Sequence, residues 1–133
     1  LRHAGAMTTP AVARLASVSL DCTDPVVLAA FYSALLGMPQ VFAAEDGHFI
    51  AISDGAMYVT FVRTGDHVPP TWPAAGQLQQ MHLDLAVSEL DAAVAVAVGL
   101  GARVADHQPN PDSWRVLLDP AGHPFCVTTL IPV

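Results

Sequence analysis

The chain has little charge, and least of all positive charge. Five Lys and Arg residues stand against twelve Asp and Glu, giving a formal charge of −7, and no two basic residues are adjacent. A phosphate backbone is gripped by clustered basic side chains, so nucleic acid is excluded as a partner, and an anionic membrane surface with it. Long apolar runs are also missing; none reaches the roughly 18 residues that a bilayer span requires. Arg2 and His3 are followed by no continuous apolar segment, so no secretory leader is expected; Met7 reads as a natural start and residues 1–14 as an extension. Cysteine is scarce. Cys22 and Cys126 lack the CxxC spacing of a metal pair and read as buried free thiols, which places the protein in a reducing cytoplasm. No Gly-rich phosphate loop, dinucleotide fingerprint or Ser-His-Asp arrangement is present.

What remains is a compact apolar chain of 133 residues, 53% apolar and 13% charged, enough for one core and not two. Eleven prolines and nine glycines keep the elements short. Residues 15–22, LASVSLDC, alternate as a half-buried strand: Val18, Leu20 and Cys22 face one way, and Ser17, Ser19 and Asp21 the other. Asp24 and Pro25 then supply a cap and a first-turn proline. A helix follows to Gly37, with Val27, Ala30, Phe31, Ala34 and Leu35 as the expected apolar stripe. Three short strands come next, at 40–44, 48–53 and 56–62, the last two joined by Asp54-Gly55.

The same order then recurs. A strand over 81–87 puts Met81, Leu83, Leu85 and Val87 on one face and His82 and Asp84 on the other. Ser88 and Glu89 precede the helix LDAAVAVAVGLG, a strand is expected at 102–105, and 114–118 and 124–130 form a hairpin about Asp119–His123. The halves align at an offset of about 65 positions, a duplication rather than a solenoid period. Ser17 falls on His82, Asp24 on Glu89, Phe49 on Trp114 and Asp54 on Asp119. The chain thus reads as an α+β protein of two βαβββ modules, 15–63 and 79–133, in a single domain 15–133 with a linker at 64–78. Trp72 in that linker covers either a partner subunit or this chain's own pocket.

HLDLAVSELDAA at the start of the second module and WRVLLDPAGHPFCV near its end resemble the vicinal oxygen chelate superfamily, in its glyoxalase-like and bleomycin-resistance-like branch. The resemblance implies two curved mixed sheets around a cleft, helices outside, a bacterial source and a homodimer. Metal-dependent members hold a divalent ion with one ligand from the first and last strand of each module. Carried onto this chain, those positions are Ser17, Val59 (or a neighbour, Tyr58 or Thr60), His82 and Cys126. Only His82 is a usual ligand, with Cys126 a thiol, so the family's metal is not expected.

His82 and Asp84, two apart on one strand, form a candidate acid/base pair or a polar ligand-binding lining. Cys126 reads as pocket wall in preference to nucleophile, for want of a positive neighbour. The expected pocket comprises Ser17, Ser19, Asp21, Phe61, His82, Asp84, Trp114 and Cys126. The resulting expectation is a small-molecule-binding protein without a metal cofactor. The alternative is a divalent-metal-dependent lyase, isomerase or dioxygenase.

Overall fold

The structure, a computed structural model, describes residues 15–72 and 81–133. The extension 1–14 with Met7, and the linker from 73 onward, lie outside the described residues. The elements run β1 (Ser17–Cys22), α1 (Pro25–Leu36), β2 (Gln40–Ala43), β3 (Phe49–Ser53), β4 (Tyr58–Arg63), β5 (Leu83–Ala86), α2 (Leu90–Leu100), β6 (Arg103–Val104), β7 (Trp114–Leu118) and β8 (Pro124–Thr128). They build two four-stranded sheets, ordered β1-β4-β3-β2 and β5-β8-β7-β6. In each, the first strand pairs parallel with the last and the other pairings are antiparallel. This is the duplicated α+β architecture, and the sheets do not close into a barrel.

Local chemistry starts each helix at the same relative place. Asp24 accepts from the backbone N–H groups of Val26 and Val27, with Pro25 in the first turn where its missing N–H costs nothing. Glu89 caps α2 by accepting from Ala92. Gly37 ends α1 in the left-handed region, at φ 68°, which a side chain resists.

The two hairpin turns differ by one residue, since Ser53 pairs with Tyr58 but Leu118 with Pro124. Asp54 and Asp119 open their turns alike. Asp54 accepts from Ala56 and Met57, and Asp119 from Ala121 and His123. The positive-φ glycine, however, comes directly after Asp54 and three residues after Asp119. Counting from the glycine therefore misplaces a strand residue. The equivalent of Cys126 is Thr60, opposite Ser19, as Cys126 is opposite Asp84; Val59 belongs to the other face.

One core serves both modules. Leu28, Phe31, Tyr32, Ile50, Ile52, Val59 and Phe61 join Leu117, Phe125 and Val127 in a continuous buried cluster. Phe31 and Tyr32 both reach Phe125 edge-on, while Tyr32 stacks on Phe61 at 5.8 Å. The Tyr32 hydroxyl donates to Asp119 Oδ2 at 2.7 Å, a buried bond between modules.

Several expectations need correction. The buried stripe of α1 is Leu28, Ala29, Phe31 and Tyr32, whereas Val27, Ala30 and Ala34 are exposed. The helix is apolar nearly all round, so pattern alone could not choose its face; the docking of Tyr32 does. Met81 is 82% exposed because β5 begins only at Leu83, after it. Phe61 and Val59 lie in the core, on the helix side of β4, and not on the cleft side.

Burial holds the Asp119 carboxyl above its usual range, outweighing the hydrogen bonds that Tyr32 and the turn donate to it. The folded protein thus keeps this proton to higher pH than the unfolded chain does. The stability the proton confers is complete below the unfolded value of about 3.9 and is lost as pH rises through the folded value. Urea unfolding across that window should show the wild type losing stability relative to Asp119→Asn. A pH-independent difference would contradict the assignment. At neutral pH, Tyr32→Phe should cost about 1–3 kcal/mol, since it strips a buried acceptor of its donor.

Candidate functional site

Strand alternation divides each sheet between core and cleft. In the second sheet Leu83, Leu85, Leu117, Phe125 and Val127 pack on the core side. His82, Asp84, Val116, Cys126 and Thr128 are left on the opposite face, where they line a cavity of about 410 Å³. The parallel register sets Asp84 directly beside Cys126, and His82 projects from the same face two residues earlier. His82 Nε2 lies 3.3 Å from Asp84 Oδ1. The donor atoms of His82, Asp84 and Cys126 all lie within 4.8 Å of one another.

Trp114, at the start of β7, and Trp72, from the linker, supply the apolar walls and pack on Ala105, Val116 and Cys126. Trp72 thus lines this chain's own pocket. Gln108 fixes the rim. Its amide donates to the carbonyls of Ala105 and Val116, and its oxygen accepts from Val116 N–H, tying the loop after β6 to β7 and setting Pro109 at the cavity edge. Leu130 and Ile131 complete the lining. Val116 and Thr128 share the facing of Cys126 and could have been found by strand parity. Pro109, Leu130 and Ile131 reach the pocket through chain folding, which leaves no local pattern.

A second cavity, about 440 Å³, is lined by Ser17, Ser19, Tyr32, Met81, His82 and His123 among others. It brings the first strands of the two modules together, with His82 common to both cavities. Asp21 is exposed, and its carbonyl accepts from His123 Nε2 at 2.6 Å. Phe61 faces away from both.

The electrostatics of the first cavity are one-sided. Among the described residues, neither Lys nor Arg lines it. Arg115 points to the other face of its sheet, where it bonds Asp91 of α2. Among the described residues, His82 and the Cys126 thiol are the polar side chains set against the Asp84 carboxylate. Burial, reinforced by Asp84, pushes the Cys126 thiol up to about 11, which disfavours the thiolate at neutral pH. Burial raises Cys22 to about 11 as well.

The family's four-strand metal arrangement does not fit these residues. Where the first module should give two ligands it gives Ser17 and Thr60, and the Thr60 hydroxyl is already hydrogen-bonded to that of Ser19. Neutral Ser and Thr hydroxyls are not among the usual ligands of a divalent transition metal. Among the described residues, the sole group of three His, Cys, Asp or Glu donors lies wholly within the second module.

The thiols offer a direct check. In native protein both should label slowly with a thiol reagent near neutral pH. Asp84→Asn removes the charge that raises Cys126, so labelling of Cys126 should accelerate several-fold while Cys22 is unchanged, as peptide mapping would show. An unchanged Cys126 rate would disprove the coupling.

Comparison with known proteins gives a consistent picture. Residues 17–128 match the family described as a glyoxalase-like domain. No curated protein matches the chain. Among solved structures, a glyoxalase/bleomycin resistance protein/dioxygenase family enzyme from Burkholderia phytofirmans PsJN superposes with a TM-score of 0.68 at 19% identity, covering 90% of this chain and 100% of that one. The fosfomycin resistance protein of Mesorhizobium loti gives 0.65 at 15% identity, covering 92% and 95%. A bleomycin-binding protein from Streptomyces verticillus, solved with copper(II)-bleomycin, gives 0.58 at 16% identity, covering 90% and 98%. At these identities the likeness is one of fold.

Proposed function

The chain belongs to the glyoxalase-like domain family of the vicinal oxygen chelate superfamily, and from that membership we propose that it binds a small molecule in the cavity of its second module. The observation that carries this reading is a chamber of about 410 Å³ with two indole walls and one polar end, His82, Asp84 and Cys126. Such a shape suits a flat apolar ligand. Indole faces attract cations, and a carboxylate whose basic neighbour among the described residues is the His82 imidazole, with no Lys or Arg, favours a ligand group that is cationic or donates hydrogen bonds. An anionic ligand would meet Asp84 with no Lys or Arg among the described lining residues to offset it. Sequestration is the corresponding role, one supported by a relative that binds bleomycin.

In this reading the protein is a homodimer in a bacterial cytoplasm, with no nucleic acid or membrane partner. Among the described residues no helix is long and apolar enough to cross a membrane. A second reading has one observation in its favour. The 3.3 Å approach of His82 to Asp84 equips the cavity with a base held by a carboxylate, which suits metal-free proton transfer on the bound ligand. A His82→Gln variant that keeps ligand affinity but loses turnover would identify that chemistry. Lyase, isomerase or dioxygenase reactions through the family's own metal find no support in the hydroxyls of the first module.

The chain has two tryptophans and both line this cavity, so intrinsic fluorescence reports on it directly. Titration with paired aromatic amines and aromatic carboxylates should change the emission for the amines and raise the melting temperature. Trp114→Ala should weaken amine binding at least about tenfold. Asp84→Asn should weaken amines and spare neutral analogues. Preference for the carboxylates, or no response to either class, would refute the assignment.

A further inference from the structure

We propose that Trp72 sets which amines the second module's cavity accepts, its indole N–H being the donor for a neutral hydrogen-bond acceptor on the ligand. The ligand is then an aromatic amine that also carries a ring nitrogen, a carbonyl or an ether oxygen, a class that rests on the cavity being a ligand site and narrows it. Three observations carry the inference. First, Trp72 Nε1 is buried and has no hydrogen-bond partner, although the indole forms part of the cavity wall. A buried indole N–H ordinarily finds an acceptor, and an unmet one is costly. Phenylalanine would supply an apolar wall without that cost, so packing alone does not account for the residue. Second, Trp72 is held in place. It packs against Ala105, Val116 and Cys126, and the segment leading to it is fixed on the Asp119–His123 turn. There His67 Nε2 donates to the Ala121 carbonyl at 3.2 Å, and a Cβ at Gly122 would come within 2.6 Å of the Pro69 Cβ. Third, neither Lys nor Arg is among the described lining residues, so an anionic acceptor would face Asp84 uncompensated and a neutral one would not.

Asp84 and Trp72 thus ask opposite things of one molecule. The carboxylate takes the positive or donating group, and the indole N–H takes the acceptor. Because Nε1 is buried in the free protein, a turn of the indole accompanies binding, and the bond it makes replaces an unmet donor. An amine without an acceptor still stacks on the indole faces but leaves that N–H unpaired. A site built to donate a hydrogen bond discriminates against the analogue that lacks the acceptor, because the site's own polar group is then left without a partner.

The test compares naphthylmethylamine with the isomeric (aminomethyl)quinolines, which exchange one ring CH for a neutral nitrogen and keep the shape and the ammonium group. Each is titrated calorimetrically into the full-length protein near neutral pH. At least one quinoline isomer should bind about tenfold more tightly than the naphthalene amine, and Trp72→Phe should erase that preference. Circular dichroism checks that the variant folds. If it does not, the wild type decides alone. The chain has two tryptophans, so a nitrogen-15 correlation spectrum carries two indole N–H signals, which Trp114→Phe assigns. The Trp72 proton should move downfield with the quinoline and not with the naphthalene amine. Amines that bind with no preference for an acceptor overturn the role of Trp72 and leave the cavity an amine site, and so does a preference that survives Trp72→Phe. Failure of every amine to bind overturns the cavity as an amine site, and the role of Trp72 with it.

Discussion

The structure depends on one buried polar contact, the hydroxyl of Tyr32 against the carboxylate of Asp119. A phenol hydrogen in the interior must find an acceptor, and the acceptor belongs to the opposite module. Seating that pair rotates α1 so that Leu28, Phe31 and Tyr32 enter the shared core, where Phe61 and Phe125 receive them from either sheet. Once the core owns one face of each sheet, strand alternation leaves the other faces for the cleft. The position of the site is thus a consequence of where the aromatics went.

Duplication has been followed by divergence in the chemistry of the two cleft faces. Ser19 and Thr60 neutralise one another in the first module, whereas the matching Asp84 and Cys126 sit beside His82 with demand left over. Among the described residues, the imidazole, carboxylate and thiol that stand together in the cleft all belong to one half. Tryptophans follow the same asymmetry, since Trp72 and Trp114 both wall the second module's cavity.

Much of this was legible in the sequence, for identifiable reasons. Helix caps at Asp24 and Glu89 are local, and so are the alternations that turned Ser17, Ser19, His82 and Asp84 away from the core. The duplication was readable because its cues are caps, turns and periods. Helix facing was not legible, because α1 is apolar on every side and only the distant Asp119 breaks the tie. The Val59 assignment failed because glycine marks where φ is positive, and the two turns need that at different places. Phe61 shares the parity of Val59, so the same one-residue slip puts both on the wrong face of β4. Pro109 and Ile131 are beyond local reading altogether.

The parallel pairing of first and last strands has a consequence for how the protein is made. Asp84 and Cys126 belong to neighbouring strands, yet α2, β6 and β7 are synthesised between them. A nascent chain leaving the ribosome can form the β3–β4 hairpin early, but β5 has no partner until β8 emerges. The cleft of the second module is therefore the last part to come into existence, and its closing strand carries the thiol. A chain that ends before β8 leaves β5 with an unpaired edge and the cleft without its Cys126 wall, and an unpaired edge is a template for aggregation.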